Sequence, residues 1–147
     1  MSWPDLFRPI HEPRHTSCGL RGRRHTSLSS GRAHGAVCTL NALLPEQHTG
    51  SGGNSSGRRG RIKGSVNLPA AHLLDSATNE FLPAAEVRRR FEAVGAFGKQ
   101  AITYCGGSIA ASADAFALVM LDHPDVKLYG ASLSEWAIDP TLPMETG

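Results

Sequence analysis

Residues 100–123 read QAITYCGGSIAASADAFALVMLDH, and this stretch decides the fold. QAITYC (100–105) is short, apolar and rich in β-formers, so it predicts a buried strand. Residues 110–123 predict a helix that is apolar on most sides. Between the two lie Cys105 and the small residues Gly106, Gly107 and Ser108. These let the backbone curl so that successive N–H groups point toward one centre. Backed by a helix N-terminus, such a nest stabilises an anion and favours the thiolate, the reactive form of cysteine. The small side chains of Gly106, Gly107, Ala110 and Ala111 leave room for an added atom and an incoming substrate. From these residues alone, Cys105 is either a nucleophile or a small core residue before a glycine turn. A dinucleotide fingerprint fits poorly, because CGGSIAAS lacks the GxGxxG spacing.

Working outward, AVCTLNAL (36–43) predicts a buried strand, and Pro45 opens a helical turn at PEQH. TGSGGNSSGRRG (49–60) is a glycine-rich loop ending in a basic cluster. GSVNLP (64–69) predicts a strand closed by Pro69, followed by a brief helix at AAHLLD and a turn at SATNEF. PAAEVRRRFEAVGAFG (83–98) predicts an amphipathic helix. Ala84, Val87, Phe91 and Val94 share one face, Arg88, Arg89 and Glu92 point away as a solvated surface, and Gly95 or Gly98 ends it. VKLYG (126–130) is a further strand. SLSEW starts a helix, with Ser132 as its cap and Glu135 at the capping-box position. Strands alternating with helices at these lengths predict a single α/β domain, with a central, mostly parallel sheet flanked by helices. Ligands of such sheets bind beyond the carboxyl ends of the strands.

The 147 residues suffice for one domain with a real core. No apolar run approaches a membrane span, so no membrane partner is expected. A formal charge of +2 gives no footing for a nucleic-acid partner. Residues 1–35 are interrupted by Pro4, Pro9 and Pro13 and dominated afterwards by Gly, Ser, Arg and His. They read as a disordered basic N-terminal segment preceding a domain over 36–147. His11, His15, His25 and His34 lack ligand spacing and read as loop residues. Three cysteines without a CxxC pair argue against a disulfide framework or a zinc site and fit a reducing, cytoplasmic setting.

Five segments occur in order: GRIKGSVNLP, FLPAAEVRRRFEAVG, ITYCGGSIAASADAFALVML, VKLYGASLSEW and DPTLPMETG. Together they resemble the rhodanese superfamily, specifically the carboxy-terminal, catalytic half of tandem-domain sulfurtransferases, over about residues 36–147. The resemblance implies a catalytic cysteine at Cys105 and a persulfide-cradling loop formed by Gly106, Gly107, Ser108, Ile109 and Ala110. It implies that Cys105 takes sulfur from a small anionic donor, thiosulfate or 3-mercaptopyruvate, and passes it to cyanide or a thiol. No metal or organic cofactor is required, and the two half-reactions imply ping-pong kinetics.

Several positions depart from the family pattern. Thiosulfate-preferring relatives carry basic residues after the cysteine, where this chain has Gly106 and Gly107. Mercaptopyruvate-preferring relatives carry Gly-Ser-Gly-Val-Thr, where this chain has Gly-Gly-Ser-Ile-Ala, so Ala110 lacks a hydroxyl. The first strand usually ends Asp-Ala-Arg; here it ends Asn41-Ala42-Leu43. Arg58, Arg59 and Arg61 are the candidates to replace that arginine in anion binding, against the plainer reading of a solvated basic loop. Trp3 and Trp136 read as packing or interface residues. In tandem relatives this domain faces a second rhodanese domain, so the expected partners include such a domain or a homodimer mate. The rival to an enzyme is a sulfur-carrier or non-catalytic rhodanese-like interaction module. Phosphatase chemistry would need an arginine closing a longer loop, and position 111 is alanine.

Overall fold

The computed structural model describes residues 37–53 and 57–147. The segment read as disordered, with Trp3, Cys18 and its four histidines, lies outside the described residues. In chain order the elements are β1 (Val37–Asn41), α1 (Pro45–Thr49), β2 (Arg61–Ile62), β3 (Val66–Asn67) and a 3-10 turn (Ala70–Leu73). They continue with α2 (Ala84–Ala93), β4 (Gln100–Tyr104), α3 (Ile109–Met120), β5 (Val126–Leu128), α4 (Ser132–Trp136) and β6 (Met144–Glu145). The α/β architecture expected from the alternation is present. Strands β3, β1, β4 and β5 form one sheet in that order, every neighbouring pair parallel.

Parallel strands bury both faces, and the period of two assigns each side chain to a layer. Cys38 and Leu40 of β1 and Ala101 of β4 pack with Val87 and Phe91 of α2 and with Ala117 and Leu118 of α3. Fully burying a side chain such as Leu40, Phe91 or Leu118 contributes about 1.5–3 kcal/mol. Tyr104 points to the opposite face, where it packs with Ile62, Leu133, Trp136 and Ala137. Trp136 is therefore a packing residue, its Nε1–H donating to the Pro143 carbonyl at 3.1 Å. Ile62 and Arg61 also pair with Met144 and Glu145 in a small antiparallel sheet, β2–β6, which has no counterpart in the sequence reading.

Of the two glycines expected to end helix α2, it is Gly95 that does so, with a left-handed φ of +70°. The Ala96 amide reaches back to the Phe91 carbonyl at 3.0 Å, a closure that ends a helix at a left-handed residue. The arginine triplet is not simply a solvated face. Arg88 donates to the Leu121 carbonyl at 2.8 Å and lies over the Phe97 ring, tying α2 to the end of α3. Arg90 donates to the His72 carbonyl and pairs with Glu86.

Candidate active site

Cys105 follows directly on β4, whose register sets Tyr104 opposite Asn41 of β1. The pairing runs on past both strands. The Ala42 amide donates to the Tyr104 carbonyl at 2.9 Å, and the Ala70 amide to the Ala42 carbonyl at 3.0 Å. This places Ala42 and Ala70 against Cys105 and Ala111, with Leu43, Ala110 and Ala113 closing around them. Every contact in that cluster is a small or aliphatic side chain, and Cys105 is only 2% exposed. The thiol therefore sits at the bottom of its loop.

Tyr104 anchors the floor. Its hydroxyl accepts from Asn41 Nδ2 at 3.0 Å and from the Ile62 amide at 3.1 Å. Its remaining partner is Ser65 Oγ at 2.7 Å, and Ser65 in turn donates to the Ile62 carbonyl. Tyr104 thus donates to Ser65 and accepts twice, which satisfies a phenol buried in the core. The same network joins β1, β4 and the β2–β3 connection immediately before the cysteine.

The other wall comes from α4. Ser132 Oγ accepts from the Cys105 amide at 3.1 Å and donates to the Tyr129 carbonyl at 2.8 Å. The Leu133 amide donates to the Cys105 carbonyl at 3.0 Å, and the Ser134 amide to the Gly106 carbonyl at 2.9 Å. The capping-box expectation is corrected here. Ala131 occupies the cap position, Ser132 has a left-handed φ of +53°, and its hydroxyl turns into the core. The reason is tertiary: the orphan amide of Cys105 competes successfully for that oxygen.

Past Gly106 the chain turns through Ser108, which has φ +75° and is the residue at which α3 begins. The amides of Gly106, Gly107, Ser108, Ile109 and Ala110 make no hydrogen bond among the described residues. By contrast, the Ser112 amide is bonded to the Ser108 carbonyl at 2.9 Å. The expected loop residues are thus brought together as five consecutive unclaimed donors at a helix N-terminus, where the helix dipole adds positive potential. Among the described residues no group of three or more His, Cys, Asp or Glu side chains could hold a metal ion.

Two of the three candidate anion-binding arginines are bonded to the C-terminal segment. Arg58 donates from Nε to the Ala137 carbonyl and from Nη2 to the carbonyls of Trp136 and Asp139. Arg61 pairs with Glu145 at 3.0 Å and donates to the Gly147 carbonyl at 2.6 Å. Both clasp the C-terminal segment onto β2. Arg59 is exposed.

Two features escaped the sequence reading: the Ser132 contact and Asp114. Asp114 lies three residues beyond Ala111 on the buried side of α3, fully buried, with neither carboxylate oxygen hydrogen-bonded. Burial pushes its pKa up to about 8, so the group is largely neutral near pH 7. Its signal was visible, because it is the one charged residue in the apolar run 109–120. Cys38 is also buried, at the opposite end of the sheet from Cys105, and burial raises its thiol pKa.

Comparison with known proteins places this geometry. A family model described as a rhodanese-like domain matches residues 54–139. The thiosulfate/3-mercaptopyruvate sulfurtransferase 1, mitochondrial, of Arabidopsis thaliana is 37% identical over 90 residues, covering 60% of this chain and 24% of the relative. The 3-mercaptopyruvate sulfurtransferase of Escherichia coli K12 is 36% identical over 89 residues, covering 60% of this chain and 31% of the relative. The chain thus spans less than a third of either enzyme's length. Among solved structures, the Tum1 protein of Saccharomyces cerevisiae superposes with a TM-score of 0.68 at 23% identity, over 82% of this chain and 43% of that one. At that identity the likeness speaks for the fold alone.

Proposed function

Because this chain belongs to the rhodanese family, we propose that it is a sulfurtransferase carrying a sulfane sulfur as a persulfide on Cys105. The observation that carries this reading is the row of five unclaimed amides from Gly106 to Ala110, set at a helix N-terminus beside the only thiol at the carboxyl edge of the described sheet. A persulfide anion needs donors that do not fill the space around it, and backbone amides flanked by Gly106, Gly107 and Ala110 provide them.

In the first half-reaction the Cys105 thiolate attacks the outer sulfur of thiosulfate. The sulfur–sulfur bond of the donor breaks, sulfite leaves with its electron pair, and a Cys105 persulfide anion forms. With 3-mercaptopyruvate the carbon–sulfur bond breaks instead, and the donor's thiol proton ends on the methyl carbon of pyruvate. In the second half-reaction cyanide or a thiolate attacks the outer sulfur and Cys105 leaves as thiolate. The depth of Cys105 favours donors whose sulfur is small and terminal. The two described cysteines are free, which suits a reducing compartment such as the cytoplasm. No helix among the described residues is long and apolar enough to cross a membrane.

A second reading is a sulfur carrier that accepts persulfide from another protein. It is favoured by one observation: Arg58 and Arg61 bond the C-terminal segment, and a protein donor docks without needing those cations to draw in free thiosulfate. Steady-state assays of thiocyanate formation, varying donor and cyanide together, separate the two. An enzyme gives parallel double-reciprocal lines that vanish in Cys105→Ala. Absence of turnover with both donors would overturn the enzyme reading and leave the carrier.

A further inference from the structure

Helix α4 has only five residues, Ser132–Trp136, yet distant parts of the chain are bonded to both of its ends. Its N-terminal end grips the cysteine loop, through the Leu133 amide on the Cys105 carbonyl and the Ser134 amide on the Gly106 carbonyl. Its C-terminal end is held by Arg58. That guanidinium donates to the Ala137 carbonyl from Nε at 3.2 Å, and from Nη2 to the Trp136 carbonyl at 3.2 Å and to the Asp139 carbonyl. The Arg58 amide adds a bond to the Ala137 carbonyl at 3.4 Å. Gly57 permits this approach: at φ +99°, a Cβ there would stand 3.1 Å from the same carbonyl oxygen.

We propose that Arg58 is a positioning residue for sulfur transfer, fixing the Cys105 loop through α4 rather than by binding the anionic donor. A five-residue helix is not stable alone, so its geometry is set by what holds it. Leu133 and Trp136 are packed beneath it, and its two ends are bonded. Carbonyls at a helix C-terminus lack intrahelical partners and carry negative potential, which a cation satisfies. The planar fork of an arginine serves several such carbonyls at once.

The helix is also short enough for its two ends to move together. Arg58 donates to the Ala137 carbonyl. The Ala137 amide donates to the Leu133 carbonyl at 3.0 Å, and the Leu133 amide donates to the Cys105 carbonyl at 3.0 Å. Each hydrogen bond hands on to the next through one residue, so release at Arg58 loosens the peptide that carries the thiol.

Hydrogen exchange of backbone amides, followed by NMR on the full chain, tests the brace alongside steady-state sulfur transfer to cyanide. Only the kinetic arm rests on the sulfurtransferase reading. Arg58→Met keeps the aliphatic stem and removes the guanidinium. Exchange at the amides of Cys105, Leu133 and Ser134 should quicken about tenfold or more, while the Ala101 amide, bonded to Asp125 at the far end of the sheet, keeps its wild-type rate. With thiosulfate and with 3-mercaptopyruvate alike, kcat should fall about tenfold and KM change little. Arg58→Lys, which keeps the charge without the fork, should restore part of the loss, and it carries the same comparisons if Arg58→Met does not fold. Unchanged exchange at the three amides, or exchange quickened equally at Ala101, would overturn the proposal. So would a raised KM for thiosulfate with kcat intact, which would assign the arginine to the donor. Absence of turnover in the wild type would count against the sulfurtransferase reading, and the exchange pattern alone would then decide the brace.

Discussion

The Cys105 amide donates to Ser132 Oγ at 3.1 Å, across 27 residues of chain, while the same hydroxyl donates to the Tyr129 carbonyl. That hydroxyl holds the peptide from which the cysteine loop springs. Ser132→Ala leaves a buried N–H without an acceptor, at a cost of about 1–3 kcal/mol. Because the loop loses its fixed origin, sulfur transfer should fall roughly tenfold or more, chiefly in kcat. Urea unfolding and steady-state kinetics on the same preparation check both parts.

Tyr104→Phe should be the most damaging conservative substitution in this region. It removes one oxygen but strands Asn41 Nδ2 and the Ile62 amide, and it takes a donor from Ser65. With two buried donors losing their acceptor, a loss of about 3 kcal/mol is expected. Ser65→Ala, which leaves both of those bonds in place, should cost less. Urea midpoints of the two variants rank them, and the reverse order would show that the network does not centre on the phenol.

Asp114 predicts a pH dependence of defined sign. Its pKa is raised from 3.8 to about 8 by burial, so folding favours the protonated form. No penalty exists below about pH 4, where the folded and unfolded states both hold the proton. Stability is then lost as pH rises through about 8, for a total on the order of a few kcal/mol. Asp114→Asn removes the titration while keeping the shape. The stability difference between variant and wild type should therefore grow in favour of the variant from pH 5 to pH 8. Groups common to both proteins, such as His48 with its pKa lowered to about 4, cancel in the comparison. Parallel profiles would contradict the assignment.

How far the sequence carried this picture differs from residue to residue. The strand–loop–helix around Cys105 was legible because periodicity changes there within a few residues, and a parallel sheet follows from alternation. The end of α2 at Gly95 was legible because a left-handed position favours glycine. Ser132 misled because Ser-x-x-Glu is a local capping pattern, whereas the Cys105 amide that claims the hydroxyl lies far away in sequence. Arg58 and Arg61 misled in the same way: their acceptors are carbonyls and a carboxylate about 80 residues further along. The β2–β6 pair was invisible because two-residue strands carry no period. Asp114 was visible as a residue, but its environment was not, since helical spacing gives a face and not what lies against it.

The most direct test of the account is the intact mass of the protein after incubation with thiosulfate or 3-mercaptopyruvate. The account predicts a gain of one sulfur atom, ~32 Da, on the wild type and none on Cys105→Ser, with Cys38 left unmodified in its buried position. No adduct with either donor, or an equal adduct on Cys105→Ser, would contradict it.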